Sequence, residues 1–120
     1  MKRDFDLIRR ILLDVENLPA GQFLKNTSYE GYDQATVNEH VALIVDEKIV
    51  RGIVHKSTKG IDGFFLNGLT WKGHDFVEAS RNETIWKKAK EMILKPSVSI
   101  TFDLLLEWLK SQAKQSLGLD

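Results

Sequence analysis

The residues with the widest chemical range in this chain are its three histidines, His40, His55 and His74. They could bind a metal or move a proton, but none stands at the spacing of an H-E-x-x-H pair, and no carboxylate–histidine spacing picks out a site. His40 falls on the apolar side of a predicted helix, where a hydrogen-bonded core histidine is the plainer reading. His74 and Asp75 follow Gly73 in the first turn of another predicted helix, so Asp75 is read as an acid favouring the positive end of the helix dipole. There are no cysteines, which removes thiol nucleophiles, disulfides and sulfur-ligated zinc together. The chain has no G-x-S-x-G elbow, phosphate-binding loop or G-x-G-x-x-G fingerprint. No catalytic residue, metal or cofactor is therefore assigned, and a non-enzymatic protein is expected.

A second constellation is cationic. Between Lys48 and Lys59 lie Lys48, Arg51, Lys56 and Lys59, with His55 beside them and no acid in the interval. Such a cluster suits the phosphate backbone of DNA. Arg51, His55, Lys56 and Lys59 are accordingly candidate nucleic-acid contacts, with Gln34, Thr36 and Asn38 on the preceding helix as possible base readers, since Asn and Gln pair with adenine. Two observations weigh against DNA. Formal net charge is zero, with 17 cations and 17 acids, whereas phosphate neutralisation usually calls for a basic excess. The segment from Asp33 to Glu47 also has no Lys or Arg but includes Asp33, Glu39, Asp46 and Glu47, and its outer face is expected to be Ala35, Glu39, Ala42 and Asp46.

These residues need elements to hold them. Leu7, Ile8, Ile11, Leu12 and Val15 form one buried stripe of a helix from Asp4 to Glu16, stopped by Asn17-Leu18-Pro19-Ala20-Gly21. Residues 22 to 32 do not declare helix, strand or loop, although Tyr29-Glu30-Gly31-Tyr32 could be a short strand. Gln34 to Glu47 has helical periodicity, with Thr36 and Glu39 as a capping box and Asp33 as a rival cap. Ile49 to Leu66 reads as two strands around the turn Lys56-Ser57-Thr58-Lys59-Gly60. Thr70 caps a helix to about Arg81, Asn82 recaps or bends it, and a continuation runs from Glu83 to Leu94. Lys95-Pro96-Ser97 breaks the chain, and a last helix runs from about Thr101 to Ser116. Trp71, Trp86 and Trp108 lie on or beside apolar stripes, so each is expected in the core.

Helix, short strand, helix, hairpin and then a threonine-started helix is the order of a winged-helix domain. The opening Met1-Lys2-Arg3-Asp4-Phe5-Asp6-Leu7-Ile8-Arg9-Arg10-Ile11-Leu12-Leu13 resembles that of a family of short bacterial and phage proteins catalogued as a domain of unknown function. Glu30-Gly31-Tyr32, the His40 helix, Leu69-Thr70-Trp71-Lys72-Gly73-His74-Asp75-Phe76, and Arg81-Asn82 with Trp86 are similar to its later blocks. The resemblance implies a winged-helix-like fold and a prophage or mobile-element setting, and carries no functional residue with it. The pattern departs from a full helix-turn-helix, because Gly21 to Tyr32 offers little for the helix that should precede the recognition helix.

The expectation is an α+β fold of 120 residues in one domain, a winged-helix-like part over 1–70 and a helical extension over 71–120. The N-terminus has no apolar signal segment, and no apolar run reaches the ~20 residues of a membrane span, so a cytoplasmic protein without membrane contact is expected. The leading function is a small regulatory module that binds DNA through its basic wing or acts within a transcriptional complex. The alternative is a protein-interaction or homodimerisation module. Ile100, Phe102, Leu104, Leu105, Leu106, Trp108 and Leu109 form an apolar arc wider than one core-facing stripe needs, and Leu105, Trp108 and Leu109 are its candidate interface residues.

Overall fold

The computed structural model describes residues 1–118 and has five helices and three strands. In chain order these are α1 (Phe5–Glu16), β1 (Leu24–Lys25), α2 (Gln34–Asp46), β2 (Val50–Ser57), β3 (Gly60–Leu69), α3 (Trp71–Ser80), α4 (Glu83–Met92) and α5 (Phe102–Ser116). The strands form one antiparallel sheet in the order β1-β3-β2. This is the expected α+β fold with a hairpin between two helices. The chain divides into two compact units, the first ending at His74 and the second starting at Asp75, so the division falls inside α3.

In the first unit, α1 and α2 pack on each other and on the sheet. Leu7, Ile11, Leu12, Val37, Val41 and Ile44 from the helices are buried, as are Val50, Phe64, Leu66 and Leu69 from the strands. Asp4, just before α1, ties three segments together. Its Oδ1 accepts the Leu7 N–H (3.0 Å) as the helix cap, and its Oδ2 accepts the Tyr32 hydroxyl (2.7 Å). Its own N–H donates to His40 Nε2 (2.8 Å). His40 Nδ1 lies 2.8 Å from the Thr36 carbonyl oxygen, which places the ring proton on Nδ1 and satisfies both nitrogens of a fully buried histidine. His40 is thus a core residue.

The stretch between β1 and α2 is not the short strand that residues 29–32 suggest. It turns at Tyr29–Tyr32, where the Tyr32 N–H donates to the Tyr29 carbonyl and Gly31 takes φ +88°. No helix forms there, and two tyrosines hold the segment to α1, Tyr29 through Asp14 (2.6 Å) and Tyr32 through Asp4. The short strand is Leu24–Lys25 instead. Asp33 wins the competition to cap α2, accepting the Thr36 N–H at 2.8 Å, so the Thr36–Glu39 capping box is not used. Ala42, expected outside, is buried, while Ala35, Glu39 and Asp46 keep to the outer side.

The hairpin is longer and tighter than Lys56–Gly60 suggests. Ser57 pairs with Gly60, so only Thr58 and Lys59 lie between the strands, and Gly60 takes φ +121°. β2 is an edge strand, and its register shifts after Arg51 and after His55; such irregularities, with Lys56, discourage a further strand from adding there. The hairpin leaves into α3 through Thr70. Its hydroxyl donates to the Ile49 carbonyl (2.9 Å) and accepts the Gly73 N–H (3.2 Å). A Cβ on Gly73 would run into that same Ile49 oxygen, so the position needs a residue without a side chain.

In the second unit, Phe76 meets Trp86 edge to face and stacks on Phe102 at 4.8 Å. Trp86, Ala89, Leu105 and Leu109 are fully buried, and α4 packs on α5. Asn82 caps α4 and Thr101 caps α5. Burial in the chain's own core removes Leu105 and Leu109 from the surface, and with it their candidacy as interface residues. Leu104 is 59% exposed, and Ile100 and Trp108 are partly exposed, so those three carry what the arc shows to solvent. Trp71 also departs from expectation, at 85% exposed on the first turn of α3. No helix among the described residues is long and apolar enough to cross a membrane.

These contacts can be tested in two ways. Gly73→Ala should destabilise the protein by about 1–3 kcal/mol, the range for an atom forced into a packed site, measured by urea denaturation. An unchanged midpoint would contradict the close approach. Alkaline titration reads the second. Burial and the hydrogen bond to Asp4 push the Tyr32 hydroxyl up to about 12, and burial with the Asp14 bond pushes Tyr29 above the usual range. Folded-state values above the unfolded ~10 mean that this stability is complete below pH ~10 and is lost as pH rises through the folded values. Both tyrosines of the chain should therefore show little tyrosinate absorbance at pH ~10–11, and an ordinary transition near ~10 would refute the two bonds.

Candidate nucleic-acid interface

Strand alternation divides the sheet into two faces. Phe64 and Leu66 of β3 point to the helices and are buried, so Phe65 between them points away. Ile53 on β2 and Lys25 on β1 are paired with Phe65, which makes a row of three outward residues across the sheet. Arg51 and His55 lie two positions to either side of Ile53 on β2, and Phe23 lies two before Lys25. All but the partly exposed Phe65 are exposed, Phe23 at 51% and Ile53 at 61%.

Phe65 is the centre of this face. Its ring meets Phe23 edge to face at 6.3 Å and His55 edge to face at 5.5 Å. The Lys25 ammonium sits 5.3 Å from the Phe65 ring centroid, a cation–π contact. Along β3, the positions paired with His55 and Arg51 are Gly63 and Gly68. The Arg51 guanidinium occupies the place where a side chain on Gly68 would stand, so it lies close against the sheet. The outward face is therefore aromatic at its middle and cationic at its margins.

Asn26 explains why β1 is short and why Phe23 and Lys25 are held where they are. It adopts φ +44° and turns the chain away from the sheet. Its side-chain Oδ1 replaces a backbone partner, accepting the Phe64 N–H at 2.8 Å, and its own N–H reaches the Phe64 carbonyl at 3.4 Å.

The structure brings together some of the residues that the sequence singles out and not others. Arg51 and His55 share the outward face, and Lys56 and Lys59 are exposed at the hairpin tip. One acid accompanies them, Asp62, whose carboxylate accepts the Ser57 hydroxyl at 3.1 Å. Gln34, Thr36 and Asn38 belong to α2, and their polar groups serve the fold. Gln34 donates to Asn38 Oδ1 (2.9 Å) and to the Thr27 carbonyl (3.2 Å). Asn38 Nδ2 reaches the Ile61 carbonyl of β3 at 3.5 Å. Thr36 gives its N–H to Asp33 and its carbonyl oxygen to His40. Hydrogen bonds from the Thr36 side chain and backbone lower the Asp33 pKa, so this end of α2 keeps its negative charge. Charge is thus divided, with cations on the sheet and acids on α2. Among the described residues no three His, Asp or Glu side chains gather as a metal-ligand set.

Phe23, Lys25, Ile53 and Phe65 are not singled out by the sequence. A signal exists only for Ile53 and Phe65, in the alternation of the two strands. The two-residue strand Leu24–Lys25, with Phe23 just before it, has no periodicity to find.

The chain belongs to the family described as Hypothetical protein (DUF2513), which matches residues 2–99. It is similar to an uncharacterized protein of Haemophilus influenzae, with 30% identity over 119 residues, covering 98% of this chain and 100% of that protein. No solved structure matches.

Asn26→Ala tests how the margin of this face is held. It removes the acceptor for the Phe64 N–H and puts a poorly suited residue at positive φ, with an expected loss of about 1–3 kcal/mol. Asn26→Gly relieves the backbone and should lose less. Equal stability of both variants and wild type in urea denaturation would contradict this role.

Proposed function

We propose that this member of the family is a small non-catalytic regulatory module that binds DNA with its β2–β3 hairpin leading and α2 held back. The observation that carries the reading is the division of charge, with Lys25, Arg51, Lys56 and Lys59 on the sheet and its tip and with Asp33, Glu39, Asp46 and Glu47 on or beside α2. A polyanion is attracted to the first group and repelled by the second. The order helix, strand, helix, hairpin with β3 in the middle supports a winged-helix-like reading in which the hairpin is the wing. In a winged helix the helix before the wing enters the major groove. Here that helix offers no Lys or Arg for guanine, and Gln34 and Asn38 are engaged with each other. Wing-led contact to the phosphate backbone is the mode the chemistry favours.

One observation favours a second reading, a protein-interaction or self-association module. Leu104 is exposed on α5, which also carries the partly exposed Trp108. Under that reading Leu104→Lys would change the sedimentation behaviour of the protein, or its retention of a partner, with the fold intact.

The DNA reading predicts that purified protein shifts a labelled generic duplex at ~50 mM salt, where even non-specific phosphate contacts register. Arg51→Gln, Lys56→Gln and Lys59→Gln should each weaken binding about equally across sequences and lower the salt-dependence slope by about one per contact removed. The absence of any shift at ~50 mM salt would sink the proposal.

A further inference from the structure

The outward sheet face contains more than charge, and the additional part decides which form of nucleic acid suits it. A cluster that only gathers phosphates needs no exposed aromatic rings. This face leaves Phe23 51% and Ile53 61% exposed around the partly exposed Phe65, with His55 at its edge. Exposed apolar surface of this kind marks a contact surface. The surrounding cations define the occupant's charge: Lys25 stands over the Phe65 ring, Arg51 reaches over Gly68 two positions before Ile53 on β2, and Lys56 and Lys59 stand at the tip. The surface calls for an anion that also carries flat apolar groups.

We infer that the outward face of the β1-β3-β2 sheet binds single-stranded nucleic acid, with unpaired bases stacking on Phe65 and Phe23 and the phosphates running along Lys25, Arg51 and the hairpin tip. This rests on the hairpin-led DNA reading above and deepens it by naming the strand state. The physical reason is geometric. In a duplex the base faces are already stacked on one another, and only edges and backbone reach a protein surface. A ring standing out of a sheet can meet a base face only where the base is unpaired, and stacking of that kind tolerates any sequence because every base has a π-face. Gly63 and Gly68 flank Phe65 along β3, and the Asn26 amide and the Arg51 guanidinium take up the space a side chain would fill there, so polar groups rather than bulk stand at the two ends of the ring's strand. The edge-to-face angle of 87° between Phe23 and Phe65 presents two differently tilted planes, which suits splayed bases of a flexible strand. Lys25 has a part in the exchange: its ammonium rests on the Phe65 ring in the free protein, and it moves to a phosphate when a base takes its place.

The experiment uses the full chain with three labelled probes at ~50 mM salt: an oligothymidylate, the same strand annealed to its complement, and heparin as a polyanion without bases. The single strand should bind more tightly than the duplex. Phe65→Leu and Phe23→Leu keep an apolar side chain in place and should each weaken single-strand binding about 5- to 100-fold, the cost of losing one stacked base. The same variants should leave duplex and heparin binding within about twofold, because phosphate contacts do not involve the rings. Circular dichroism confirms that each variant is folded, and Ile53→Val provides a second, milder change that should weaken the single strand only slightly. Duplex binding equal to or tighter than single-strand binding, or leucine variants that bind the single strand like wild type, would overturn the inference and leave the hairpin-led reading standing. Heparin weakened in parallel with the single strand by Phe65→Leu would also overturn it, as a general loss of anion affinity. Failure of all three probes to bind would overturn both readings.

Discussion

Phe64, Phe65 and Leu66 stand in a row in β3, the central strand of the sheet, and the pleat sends them to opposite environments. Phe64 and Leu66 must go to the core, where they are 1% and 0% exposed. Burial of two such side chains stabilises the unit by several kcal/mol and also sets the register. Once they face the helices, Phe65 has no choice but to face water. A slip of one residue would bury Phe65 and expose the other two. The outward aromatic is therefore a necessary result of the core, and the partners around it are placed by the pairing of β1 and β2 to that same strand.

The second constraint is at the two ends of the hairpin. Ile49 lies between α2 and β2, and its carbonyl accepts both the N–H and the hydroxyl of Thr70 while Gly73 passes close against it. That one oxygen brings the start of β2 to the start of α3, so the hairpin is clamped at its base and exposed at its tip. Stability sits at the base, with the cations at the tip and along the outward face. An exposed tip on a firmly held base can adjust without unfolding the core.

Several acids are tied up in hydrogen bonds within the fold, while the cations of the hairpin are left on its surface. Asp4 and Asp14 accept tyrosine hydroxyls, Asp33 caps α2 and Asp62 accepts Ser57. Arg51, Lys56 and Lys59 of the hairpin are exposed. A chain with zero formal net charge can in this way show a basic surface on one side of its sheet, which an overall count of charges conceals. Balance of composition says little about a field that depends on where each charge is spent.

Most of the elements are legible in the order of the residues alone. Helical periodicity marks α1, α2 and α5, β-branched residues mark the hairpin, and Thr70 with Gly73 marks the start of α3, because each signal is carried by residues close together along the chain. Arg51, His55, Lys56 and Lys59 can be read as a cluster for the same reason. The remainder depends on partners that are distant along the chain and meet only in the fold. β1 exists because Leu24 and Asn26 meet Leu66 and Phe64 of β3. Residues 29–32 are ordered by Asp4 and Asp14 rather than by their own propensity. Leu105 and Leu109 belong to the core and Trp71 to the surface, since which arc of a helix is covered depends on what packs on it. The joining of Phe23, Lys25, Ile53 and Phe65 into one surface is hidden in the same way, because strand pairing brings together side chains that sequence distance keeps apart.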